Sequence, residues 1–98
     1  MPATPSREEK KRADGEARKR ARDVQARQQR IEQLEERIAE CEQAIRDIEE
    51  QMSSPNFYDD RAAAQPVIDQ HQALMWKVGD LMHQWEMLQT SDNLTAKH

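Results

Sequence analysis

Apolar residues recur through the middle of the chain at alternating steps of three and four residues. The first run of such positions is Ile31, Leu34, Ile38, Cys41, Ile45, Ile48 and Met52. Most residues between these positions are Glu, Gln or Arg. This pattern is typical of a helix with one narrow apolar stripe, and such a stripe has to be buried against another helix.

A second run has the same spacing and predicts the partner helix: Val67, His71, Leu74, Val78, Leu81, Trp85 and Leu88. Between the runs, Pro55 cannot continue the first helix, and Ser54 before it is biased towards extended geometry. Two matched stripes with a short connection predict an all-α fold. It is a two-helix antiparallel coiled-coil hairpin over residues 31–90, with the first helix reaching about residue 52 and a tip at 53–59.

The tip carries two adjacent aromatic residues, Phe57 and Tyr58. We expect them to fold back over the open end of the seam, and the alternative is an exposed contact for a partner. Asp59 and Asp60 follow, and both suit a helix N-terminus by capping and by charge.

Pro66 complicates the second helix, which is predicted over about residues 60–90. The favoured interpretation is a break, with a short turn over 60–64 and a main helix beginning near Pro66. The alternative is one helix that runs through the proline with a kink. Polar residues from Thr90 onward predict the end of the helix and a frayed tail over 91–98.

Two registers of the hairpin, one heptad apart, satisfy the pairing of the stripes. The tight register places Ile31 opposite Leu81, and the slid register places Leu34 opposite Trp85. Short connections are the commoner kind, which favours the tight register. The position of Pro66 favours the slid register.

The N-terminal third of the chain has a different composition. Residues 1–6 are expected to be a disordered lead-in, although Ser6 and Glu9 have the spacing of a capping box. Residues 7–30 are rich in good helix formers and polar nearly all round, which predicts a basic helical arm or linker. Residues 1–30 carry ten Lys or Arg and five Asp or Glu, a balance of +5, whereas residues 31–98 have a balance of −9.

A cationic arm favours binding to phosphate backbones, with an affinity that depends on salt and not on base sequence. The arm has no aromatic residue to stack on bases, so base-specific recognition is not expected. The alternatives are a solvated extension, or weak membrane-surface binding without an apolar face to support it. The candidate nucleic-acid-binding residues are Lys10, Lys11, Arg12, Arg18, Lys19, Arg20, Arg22, Arg27 and Arg30.

The residues needed for catalysis or for a cofactor are missing from the sequence. Gly15 and Gly79 are the only glycines, too few for a phosphate-binding loop, and Cys41 is the only cysteine, so no zinc pair exists. No nucleophile, base and orienting group can be assembled. We therefore predict a non-enzymatic chain without cofactor or metal. It has no apolar run of transmembrane length and no signal peptide, so a cytoplasmic location and no membrane contact are expected.

Three segments resemble one known family. The runs IEQLEERIAECEQAIRDIEEQMSSPNFYDD and LMHQWEMLQ are similar to the C-terminal coiled-coil domain of ABC-F ATPases of the Uup type, also described as the ABC transporter C-terminal domain. The upstream run REEKKRADGEARKRARD resembles the basic stretch after the second ATPase domain of that family. The resemblance covers about residues 7–90, and its specific features are the tip and the ending: Pro55, Phe57, Tyr58, Trp85, Glu86 and Leu88.

The resemblance implies an accessory module of an ATP-binding protein that acts on ribosomes in translation. In that family the C-terminal domain is linked to binding of DNA or ribosomal RNA. The implied partners are therefore nucleic acid and the ATPase domains of the parent protein, with the module itself expected to be monomeric as a fragment. The alternative is a structural or protein-interaction coiled coil, possible as a parallel homodimer. Ile at three a positions, the first position of each seven-residue repeat, also suits that arrangement.

Overall fold

A computed structural model describes the backbone of residues 6–96 and the side chains of residues 6–90. Its elements are helix α1 (Arg7–Met52), a one-turn 3-10 helix (Phe57–Asp59) and helix α2 (Arg61–Ala96). The described part of the chain contains no strand. The predicted all-α hairpin is confirmed. Of the expected lead-in, residues 1–5 lie outside the described residues.

The chain divides into two compact units, Met1–Arg30 and Ile31–His98. The second unit begins at the first residue of the apolar seam. It contains the last part of α1, the tip and α2, and these form the hairpin.

The seam is buried within the single chain. The residues most shielded from solvent are Ile31, Leu34, Cys41, Ile45, Ile48, Ala64, Val78 and Leu81. Every other position of the two predicted stripes is at least partly buried. One cluster joins Leu34, Cys41 and Ile45 of α1 to Val78 and Leu81 of α2. The apolar residues of both helices are therefore covered by each other, which is what an antiparallel hairpin requires.

Two hydrogen bonds between the helices define the register. The indole Nε1–H of Trp85 donates to Oε1 of Glu35 at 3.1 Å, and Nε2 of His71 lies 3.1 Å from Oε1 of Glu49. Glu35 adjoins Leu34, so these contacts agree with the slid register within one residue. The tight register is wrong by a full heptad.

The structure of the tip explains why the preference for short connections predicts the wrong register. The connection between the helices is not a minimal loop, because Phe57–Asp59 forms a turn of helix that packs against α2. In the slid register Met52 lies opposite the residues just after Pro66. The first turns of α2 therefore extend past the end of α1, and the tip returns along them.

Helix α2 begins at Arg61 and passes through Pro66, so the predicted break is wrong and the single-helix alternative is correct. Oδ1 of Asp60 accepts the N–H of Ala63 at 3.3 Å, which caps the helix six residues before the proline. Pro66 lacks the N–H that would donate to the carbonyl of Ala62, and its ring crowds that carbonyl, which together cost a helix about 3 kcal/mol. The good helix formers before it offset part of that cost.

The predicted end of α2 near residue 90 is also wrong, because the helix continues to Ala96. The residues from Thr90 to that point include neither Gly nor Pro. Ser, Asp, Asn and Thr are weaker helix formers than Ala, but they do not force a helix to stop.

The two tip aromatics have different environments. Phe57 is partly buried, whereas the side chain of Tyr58 is 62% exposed. Their rings meet edge to face with centroids 4.9 Å apart. The expectation that both aromatic side chains are covered is therefore wrong for Tyr58.

Candidate nucleic-acid interface

The N-terminus of α1 is fixed by the capping box that the sequence predicts. The backbone N–H of Ser6 donates to Oε2 of Glu9 at 3.3 Å, and the N–H of Glu9 donates to Oγ of Ser6 at 3.2 Å. These two bonds satisfy amides that the first turn leaves without helical partners. The helix can therefore begin at Arg7.

All nine candidate phosphate-binding residues lie on α1, within the first unit or at its last residue. Eight of them are exposed, and the described part of the chain shows no ion pair for these eight. Arg27 differs, because its side chain is partly buried and already has an interaction partner. The structure thus leaves eight of the nine cations accessible.

Helical geometry sorts these cations into faces. Arg7, Lys11, Arg18 and Arg22 follow one another at steps of four, seven and four residues, so they share one face. We call these four residues the basic stripe. At 1.5 Å per residue the basic stripe is about 22 Å long. One acidic residue, Asp14, lies on the same face.

Arg7 is a member of the basic stripe that the sequence prediction missed. The nine predicted residues extend from Lys10 to Arg30 and are not confined to one face of the helix. Applying the helical period to the charged residues, as to the apolar ones, identifies Arg7 by its distance from Lys11 and Arg18.

The remaining candidates lie on other faces. Lys19 and Arg20 line a shallow depression together with Glu16 and Asp23, so their charges are partly offset locally. Arg12 and Arg30 share the face of Lys19, and Lys10 lies apart from these groups. The basic stripe is therefore the part of the arm with the largest excess of positive charge.

The chemistry available on the arm is electrostatic. Its side chains are cations, carboxylates, amides and small apolar groups, and the one large apolar side chain, Val24, is 61% exposed. Within the described residues no group of His, Cys, Asp or Glu is arranged to hold a metal ion. None of the described helices has the length and apolar character needed to cross a membrane.

The comparison with protein families gives one match. Residues 25–90 match the model of the ABC transporter C-terminal domain, which confirms the resemblance drawn from the tip and the ending near Trp85. That description implies association with the ATPase part of a parent ABC protein. The match begins after the basic stripe, and it includes only Arg27 and Arg30 of the nine candidates. No curated protein and no solved structure matched the chain.

Proposed function

Because the chain belongs to the ABC transporter C-terminal domain family, we propose that it is a non-catalytic accessory module of an ABC-F type ATPase. It binds the phosphate backbone of DNA or ribosomal RNA through its basic arm. The observation that carries this proposal is the basic stripe, four exposed cations on one face of α1.

Electrostatics supports the arm as the contact. Each phosphate that a Lys or Arg neutralises releases condensed counterions, which favours binding at low salt. The hairpin has a balance of −9 and repels a polyanion, whereas the arm has a balance of +5. The contact is therefore confined to the arm, and Arg27 is not needed for it.

Catalysis belongs, in this proposal, to the ATPase part of the parent protein. The hairpin is stabilised by the apolar seam and by two hydrogen bonds between its helices. The histidine on the seam, His71, forms a hydrogen bond with Glu49 and not with a nucleophile.

Binding is tested by fluorescence anisotropy with labelled duplex DNA, single-stranded DNA and structured RNA over a series of salt concentrations. The test variant replaces the four residues of the basic stripe with Gln. The control variant removes the same charge from the hairpin, by replacing four exposed basic residues with Gln: Arg37, Arg46, Arg61 and Lys77.

The expected result is a salt dependence that the stripe variant weakens and the control retains. Each lost phosphate contact lowers the slope of log Kobs against log salt by about 0.9 on duplex DNA. Loss of the basic stripe should therefore lower it by about 3–4. Equal losses in both variants, or an unchanged slope in the stripe variant, would contradict the proposal.

A further inference from the structure

Three glutamates stand at heptad spacing beside the seam on α1: Glu35, Glu42 and Glu49. The two outer ones each contact a residue of α2, Trp85 and His71 respectively, at 3.1 Å. Trp85 and His71 are themselves separated by two heptads. The three glutamates thus form a regular series along one flank of the hairpin, and the outer two pair with residues of α2.

The middle member of this series has no partner from α2. The register fixed by the outer pairs places Val78 opposite Glu42, and Val78 is an apolar core residue that is 8% exposed. Glu42 is partly buried, and no described side chain forms a hydrogen bond or an ion pair with it. Its carboxylate still reaches solvent, since no side-chain polar atom of the described residues is fully buried without a partner.

A groove of about 370 Å³ adjoins this carboxylate. Its apolar lining comes from Ile38, Ala39, Met82 and Trp85. Its charged lining residues are all acidic: Glu35, Glu42 and Glu86. Met82 is 40% exposed although it borders the seam. The groove therefore combines an apolar surface with excess negative charge and no cation.

We propose that this groove, which we call the acidic groove, binds a basic amphipathic helix of a partner protein. An apolar side chain of the partner occupies the space beside Met82, and a flanking Lys or Arg pairs with Glu42. Flexible methionines adapt well to different apolar side chains. An apolar helix face laid in a groove, with opposite charges at its rim, is a recurrent mode of peptide recognition.

Charge complementarity identifies the occupant. A second acidic hairpin would be repelled, because residues 31–98 carry a balance of −9. A phosphate-containing ligand would meet the carboxylates of Glu35, Glu42 and Glu86. A cationic helix is attracted by the same residues. Its Lys or Arg also supplies the hydrogen-bond donor for Glu42 that the apolar Val78 cannot provide.

The test uses the full chain and a short labelled amphipathic peptide of Leu and Lys, with a Leu and Glu peptide of the same pattern as the control ligand. Glu42→Gln and Met82→Gln alter the acidic groove. The matched variants Glu36→Gln and Met87→Gln alter exposed residues outside it. Circular dichroism and thermal melting establish that each variant keeps the helical fold.

Glu42→Gln and Met82→Gln should each weaken binding of the Lys peptide by about threefold or more, with little change in the matched variants. NMR offers an independent readout, because the indole N–H signals of the two tryptophans are resolved from the backbone. The Trp85 signal should shift on peptide addition, whereas that of Trp76, which is 74% exposed outside the groove, should not. Equal weakening by Glu36→Gln, equal binding of the Glu peptide, or no shift of Trp85 would overturn the proposal.

Discussion

Truncation of one seam residue provides the most direct test of the hairpin. Leu34 is 4% exposed and belongs to the cluster that joins the two helices. Leu34→Ala removes three carbon atoms, for which the lost burial is worth about 2.4 kcal/mol at about 0.8 kcal/mol per methylene. The cavity left behind adds to this loss. Because a two-helix seam is open at its edges and collapses partly, we expect a total of about 2.5–3.5 kcal/mol.

This loss is large compared with the stability available. A domain below about 70–80 residues rarely gains more than about 3–5 kcal/mol from its core. Urea unfolding followed by the helical signal in circular dichroism measures the change. With a slope of about 1 kcal/mol/M for a small domain, the urea midpoint should fall by about 2.5–3.5 M.

Met87→Ala is the control, because Met87 is a large apolar residue of α2 that is 58% exposed. Its loss should stay within about 0.5 kcal/mol. A Leu34→Ala loss below about 1 kcal/mol, or a Met87→Ala loss of equal size, would refute the burial on which the hairpin rests.

Three further predictions concern the register and the local stability of α2. In the slid register Cys41 lies opposite Val78, and both belong to the same buried cluster. Val78→Cys should therefore form an intramolecular disulfide with Cys41 on mild oxidation, measured as loss of free thiol in the monomer. The tight register would instead predict that disulfide for His71→Cys. Gly79→Ala should raise the free energy of unfolding by about 0.5–1 kcal/mol, because a Cβ at Gly79 meets no atom within 4 Å; a loss in urea unfolding would contradict it. Asp60→Ala should cost about 1 kcal/mol by removing the cap of α2, and Asp60→Asn should restore most of it, as thermal melting can measure.

The apolar spacing was sufficient to predict most of the buried residues. Ile31, Leu34 and Val78 are buried as their heptad positions require. The reason is that a helix with a single stripe has one low-energy way to remove that stripe from water. The capping box at Ser6 and the cap at Asp60 were equally predictable, because both depend only on local sequence.

The register could not be predicted from the stripes. Heptads are interchangeable, so a shift of seven residues preserves every apolar pairing. The choice rests on polar partners that flank the seam, Glu35 with Trp85 and Glu49 with His71. Loop-length preferences gave the wrong answer because the tip forms its own turn of helix.

The two proposed surfaces have opposite charge, and this determines how they can be told apart. Salt weakens both interactions, since each depends on attraction between opposite charges. Salt dependence alone therefore cannot assign a ligand to the basic stripe or to the acidic groove. Variants can assign a ligand to one of the two surfaces. Neutralising the basic stripe should weaken binding of a polyanion, whereas Glu42→Gln should weaken binding of a cationic helix. If each set of variants changed the affinity for both ligands equally, net charge, and not a specific surface, would govern binding.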